Sequence, residues 1–264
     1  MQVFANDGAL VDVRIDGSSG AEVVLIAGFP LTRAIWNAQS ETLAQHRRIV
    51  RPDLRGTGES SVTGGPYLME QLASDVAAAL DALGIERAAL VGHSLGGYVA
   101  LAFARMFSER LTRLALVCSR LAADTPEVAA ARFELADRVE RADSAVAAIA
   151  AYVPRLFAPE TARERPDIVA RVNEIATGVS ARGAAAMLRG MAMRPSAFDI
   201  APDLDVPVVV VAGGCDALVS IEEADANARS FRRGRLVVCR RSGHLPMVEE
   251  PEELSGALAA WLSE

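Results

Sequence analysis

The chain alternates short, largely apolar runs with longer stretches in which apolar residues recur every three or four positions. Residues 22–27, 48–51, 88–91, 114–118, 207–212 and 235–239 are such runs, bounded by turn-forming residues, and they predict buried β-strands. Residues 35–46, 68–83, 95–107, 222–231 and 252–262 carry helical spacing. The first sixteen residues read as two short strands around Asp7-Gly8, whose glycine supplies the positive φ that a tight hairpin needs. Strand alternating with helix predicts an α/β domain with a mostly parallel, doubly wound sheet and an antiparallel hairpin at its edge.

Residues 119–201 break this rhythm. They hold Ala-rich and Arg/Glu-rich segments of helical periodicity, punctuated by Pro126, Pro154, Pro159, Pro166 and Pro195, and no strand pattern. So long a helical stretch between two strands predicts a cap over the carboxyl edge of the sheet, where α/β proteins bind ligands. The expected division is therefore a core of residues 1–118 and 202–264 with an inserted helical cap, 119–201.

Composition narrows the function. Apolar residues make up 51% of the 264 positions and aromatics only 5%, so the core is expected to be Val, Leu, Ala and Ile. A formal net charge of −7 lacks the basic footprint that phosphates require. Nucleic acid and anionic membrane are thus excluded as partners, and a small neutral or apolar ligand fits better. Cys118, Cys215 and Cys239 lie far apart without C-x-x-C spacing, which offers neither a disulfide framework nor a zinc site. No positively charged start followed by an apolar stretch is present, and no apolar run reaches the ~18 residues that span a bilayer. A reducing cytoplasm is the expected compartment.

The strongest chemical signal is Gly92-His93-Ser94-Leu95-Gly96, a G-x-S-x-G between a predicted strand and a predicted helix. Flanking glycines let strand and helix approach around a strained turn that pushes the serine hydroxyl out, and the helix start aims free N–H groups at any oxyanion formed there. A capped glycine turn without chemistry is the bland alternative. Of the three histidines only His244, in Ser242-Gly243-His244-Leu245-Pro246, follows a late strand in a loop and can serve as base. His46 ends an amphipathic helix, and His93 is a structural neighbour on the turn. Asp216 follows the strand 207–212 after Gly213-Gly214-Cys215 and is the candidate acid that fixes the histidine tautomer. Asp203, Asp205 and Asp225 read as solvated. The expected oxyanion donors are the N–H groups of Leu95 and of Phe29, in Gly28-Phe29-Pro30. The glycines of residues 53–60 lack the Lys-Ser/Thr pair of phosphate loops and read as a structural turn.

With these residues assembled, nearly the whole chain resembles the α/β-hydrolase superfamily, and within it the branch of small esterases, enol-lactonases and cofactor-free haloperoxidase-like perhydrolases. Gly28-Phe29-Pro30 with Trp36 is similar to the family's oxyanion segment, residues 53–60 to its D-x-R-G-x-G-x-S loop, and residues 91–97 to its nucleophile elbow. Asp216 and His244 match the family's acid and base. Ala27 stands where the family often has histidine, and Ser220 where a proline often follows the acid. Ser94 argues against the dehalogenase and epoxide hydrolase branches, which use aspartate there.

The resemblance implies the α/β-hydrolase fold and a serine hydrolase that cleaves small carboxylic esters, of short to medium acyl length, without metal or organic cofactor. A lactonase or a perhydrolase is the alternative, the latter because a proline after the oxyanion residue, as at Pro30, occurs in perhydrolytic relatives. A ligand receptor that kept the fold is the rival from another class. Pocket candidates are Trp36, Leu121, Leu156, Met187 and Leu245, with Phe133, Phe157 and Met191 also available from the cap; core packing is the competing role for each.

Overall fold

The computed structural model describes residues 1–264. Eight strands form one sheet: β1 (Gln2–Phe4), β2 (Leu10–Asp16), β3 (Glu22–Ile26), β4 (Arg48–Pro52), β5 (Ala88–His93), β6 (Leu111–Val117), β7 (Val208–Gly213) and β8 (Gly234–Cys239). Their spatial order is β1-β2-β4-β3-β5-β6-β7-β8. The hairpin β1–β2 and the pair β2–β4 are antiparallel, and every other pairing is parallel. The predicted α/β architecture is therefore the observed one.

Why the runs form this sheet follows from their two covered faces. Along β3, β5, β6 and β7 successive side chains point into opposite apolar layers: Val24, Leu90 and Val210 into one, Val23, Ala89 and Val209 into the other. Helices Met69–Ala82 and Leu95–Met106 supply the first layer, and Pro251–Leu262 the second. The predicted helix over 35–46 is shorter. A 3₁₀ turn at Arg33–Trp36, capped by the Thr32 hydroxyl, precedes an α-helix at Asn37–Leu43.

Strand order reverses around β3. From β3 the chain moves outward to β4, then crosses back to place β5 on the other side. The loops after β3 and β5 thus diverge at a switch point, where open α/β sheets leave a crevice. Between β6 and β7 the chain forms helices Pro126–Ala142, Val146–Tyr152, Pro159–Glu164, Pro166–Ala176 and Ala181–Met193 and no strand, only an isolated bridge from Val179 to Thr57.

The loop after β4 is held by ions rather than by regular structure. Arg55, 1% exposed at its side chain, forks onto both carboxylate oxygens of buried Asp75 at 2.5 Å and reaches Asp7 at 2.7 Å. Removing one member of a buried pair leaves the other charge uncompensated, so Arg55→Ala is expected to destabilise the protein by about 3–5 kcal/mol in urea unfolding. A loss under about 1 kcal/mol would mean water reaches Asp75 and the pair is effectively a surface one.

Candidate active site

Four loops at the carboxyl ends of parallel strands converge at the crevice, carrying Phe29 after β3, Ser94 after β5, Asp216 after β7 and His244 after β8. Ser94 occupies the turn into helix Leu95–Met106 at φ 50°, ψ −114°, a region costing a non-glycine residue on the order of 1–3 kcal/mol. Its surroundings hold it there. The Ser94 N–H donates to the Val117 carbonyl at 2.9 Å, and the Ser119 hydroxyl donates to the Ser94 carbonyl at 2.8 Å. A Cβ at Gly92 would overlap the Gly96 carbonyl, and one at Gly96 would overlap the Ile26 carbonyl. Both G positions of the motif are therefore required by close backbone approach.

The Leu95 N–H, first in its helix, has no intrahelical acceptor, and the dipole's positive end lies beside Ser94. The Phe29 N–H, on the facing loop, is not spent on any protein acceptor. That loop is fixed from behind: Leu31 N–H donates to Gly28 O, and Arg33 N–H donates to the buried Asp53 carboxylate at 2.8 Å. Residues 53–60 thus act as a structural support for the loop carrying Phe29.

His244 Nδ1 lies 2.7 Å from Asp216 Oδ2, with both side chains almost fully buried at 2% and 0% exposure. Burial pushes the Asp216 carboxyl up, but the His244 hydrogen bond and charge, with N–H groups of Leu218 and Val219 on Oδ1, outweigh it and hold the group below the usual carboxylate range. Facing a carboxylate, Nδ1 carries the proton, which leaves Nε2 as an acceptor. Nε2 is buried and has no hydrogen-bond partner. The His244 loop is held through its backbone: its own N–H donates to Leu156 O at 2.7 Å, and the Glu249 carboxylate accepts from Gly243 and Leu245 N–H.

Sequence reading left His93 as a neighbour; the structure gives it a contact. Its Nε2 sits 2.9 Å from the His244 carbonyl, an acceptor, so Nε2 carries the proton. Complete burial, and secondarily His244, pushes its pKa down to about 3 from 6.5. The folded state therefore binds fewer protons here than the unfolded chain. This contribution to stability is fully present above pH 6.5 and falls by about 1.4 kcal/mol per unit as pH drops toward 3. His93→Gln keeps an N–H donor without titrating, and its unfolding free energy is expected to slope less steeply between about pH 6 and 4. Equal slopes in variant and wild type would show that His93 is solvated on acidification.

Ser94, His244 and Phe29 line one cavity of about 400 Å³, closed by residues of the helical segment that include Leu135, Tyr152, Leu156 and Met191. Of the pocket candidates, Leu156 and Met191 are on this wall. Leu156 also packs in one apolar layer of the core with Trp36, Leu245 and Phe157, and Met191 in the other with Met187, but Trp36, Leu245, Phe157 and Met187 do not line the cavity. Leu121 borders a separate, small cavity with Met69 and Arg105, and Phe133 points toward solvent at 38% exposure. A large apolar residue in a sequence carries no mark of whether its neighbour is core or cavity, and that is why these assignments change. Arg120, Arg132, Arg138 and Arg155 also line the cavity and were not singled out. One signal was available: Val128, Ala131, Arg132, Leu135 and Arg138 share one helix face by spacing.

Ligand atoms of Cys118, Asp216 and His244 fall within 4.8 Å of one another. Burial raises the Cys118 thiol well above its ordinary pKa, so it stays protonated, and His244 Nδ1 is occupied by Asp216. The set is therefore poorly suited to holding a metal. No helix is long and apolar enough to cross a membrane.

Comparison with known proteins places the chain. The model of the alpha/beta hydrolase family matches residues 23–257. The 3-oxoadipate enol-lactonase 2 of Acinetobacter baylyi is 30% identical over 232 residues, covering 86% of this chain and 83% of its own. A thermophilic esterase from Thermogutta terrifontis, solved with malate bound, superposes with a TM-score of 0.96 at 36% identity, over 100% of this chain and 97% of that one. The enol-lactonase from Burkholderia xenovorans superposes at 0.92 with 26% identity over the full length of both.

Proposed function

The chain belongs to the alpha/beta hydrolase family, and within it we propose that this protein hydrolyses carboxylic esters through Ser94, His244 and Asp216. The observation that carries the reading is the buried pair of His244 Nδ1 and Asp216 at 2.7 Å, whose unspent Nε2 borders the cavity that Ser94 also lines. In the proposed sequence Nε2 takes the Ser94 proton as Oγ attacks the ester carbonyl, and a hydrogen bond between them forms once substrate is bound. The Phe29 and Leu95 N–H groups receive the oxyanion, each on the order of 3 kcal/mol of transition-state stabilisation. His244 then protonates the leaving alcohol, and water, deprotonated by His244, releases the acid from Ser94. Asp216 orients the imidazole and stabilises its charged form throughout.

A cyclic ester is the second reading. The enol-lactonase relatives favour it, and the same steps apply with the leaving group still tethered to the acyl chain.

The test is hydrolysis of p-nitrophenyl esters across acyl lengths and of simple lactones, with labelling by a fluorophosphonate probe. Turnover together with labelling at Ser94 is the expected result. Absence of both in well-folded protein would sink the proposal and favour a ligand receptor on the same fold.

A further inference from the structure

The net charge of the chain is −7, yet the cavity beside Ser94 is lined by Arg120, Arg132, Arg138 and Arg155 and by no aspartate or glutamate. A net charge averages the whole surface, whereas a substrate meets only the groups that face it. Two of the four are ion-paired within the protein. Arg132 lies 2.7 Å from the buried Asp124, which also takes Arg194 at 2.9 Å, and donates to the Tyr152 hydroxyl at 2.7 Å. Arg120 pairs with Glu223 at 3.1 Å.

Arg138 and Arg155 differ. Neither has an ion pair or a side-chain hydrogen bond within the protein. Acids are near in sequence, but Asp137 and Glu140 are both spent on Arg189 at 2.7 Å, and Glu134, one turn before Arg138, does not pair with it. The two free guanidinium groups reach the cavity from different elements. Arg138 comes from the last turns of Pro126–Ala142 and Arg155 from the 3₁₀ turn Val153–Arg155. Both are solvent-exposed at the rim, so they keep their charge available without having paid for burial. The same cavity also has apolar lining from Leu135, Leu156 and Ala151.

We propose that the substrate carries a carboxylate separated from its scissile ester by a short apolar spacer, and that Arg138 and Arg155 bind this carboxylate at the cavity rim. This rests on the ester-hydrolase reading above and narrows its substrate class. Guanidinium groups suit the task because they present paired donors to carboxylate geometry and never deprotonate. Arg132 is held by Asp124 and Tyr152 and is not the group assigned to the anion.

The test compares length-matched esters that differ only in a terminal charge. Mono-p-nitrophenyl esters of succinate, glutarate and adipate are set against the neutral p-nitrophenyl esters of equal length. To place the charge on the alcohol side, the acetyl ester of 4-hydroxybutanoate is set against butyl acetate. On at least one side the wild type is expected to favour the anionic ester by at least about tenfold in kcat/KM, chiefly through KM, and to lose the preference as salt is raised. In Arg138→Gln/Arg155→Gln the ratio of anionic to neutral kcat/KM is expected to collapse toward one, and in the double Lys variant to be largely kept. A wild-type ratio near one on both sides, or one unchanged in the Gln variant, overturns the proposal while leaving the esterase reading intact. No turnover of any ester and no fluorophosphonate labelling overturns both.

Discussion

Ser94→Ala is expected to lower ester turnover on the order of 10⁶-fold in kcat while the protein stays folded, because a nucleophile acts as a unit with its base and its loss removes the acyl-enzyme route entirely. Retention of fold follows from the local geometry. The Ser94 side chain makes no capping hydrogen bond to its helix, and the positive φ is held by the Val117 and Ser119 contacts to its backbone, which alanine keeps. Unfolding free energy should therefore change by under about 1 kcal/mol. Steady-state hydrolysis, fluorophosphonate labelling and urea unfolding of the same preparation check the three statements together. A variant that still turns over esters at a tenth of the wild-type rate would remove Ser94 from the mechanism.

Asp216→Asn is expected to cost about 10⁴-fold in kcat with little change in KM. An Asn side chain can still accept the Leu218 and Val219 N–H groups now held by Oδ1 at 2.8 and 3.2 Å, so the loop should survive. What changes is the other atom. An amide N–H facing His244 Nδ1 forces the imidazole proton onto Nε2, and a protonated Nε2 cannot take a proton from Ser94. The variant should bind substrate and fail in chemistry, which pre-steady-state acylation separates from binding. In the wild type the Asp216 carboxyl lies below the usual carboxylate range. Its contribution to stability is thus present above the unfolded value near 3.8 and is lost only as pH falls through its lower folded value. Loss of activity at mildly acid pH is therefore not expected to come from this group, and an Asp216→Asn profile that merely shifted along the pH axis would contradict the tautomer argument.

Much of the molecule was legible in the chain because the signals were local. A strand covered on both faces must be a continuous apolar run, so β3, β5, β6 and β7 declared themselves by composition. Gly92 and Gly96 around Ser94 declared a strand-to-helix turn because only a missing Cβ permits the approach to Gly96 and Ile26 backbone. Ser94, Asp216 and His244 were readable as a candidate set from their positions after strands, since parallel strands bring their carboxyl ends to one edge.

What required the folded chain was everything set by partners distant in sequence. Trp36, Met187, Leu245 and Leu156 all pack in the apolar layers of the core, and only the folded chain shows that Leu156 also lines the cavity while the other three do not. His93 read only as a structural neighbour on the turn, and its contact with the His244 carbonyl, across 151 positions, exists only in the fold. The arginines show the limit most clearly: within an acidic chain nothing local distinguishes Arg132, bound to Asp124, from Arg138 and Arg155, left facing the cavity. Pattern along a chain determines which face of an element is apolar, because that depends on residue spacing alone. Which charges are neutralised, and which remain for a ligand, depends on distances of a few ångströms between segments, and those exist only in the tertiary structure.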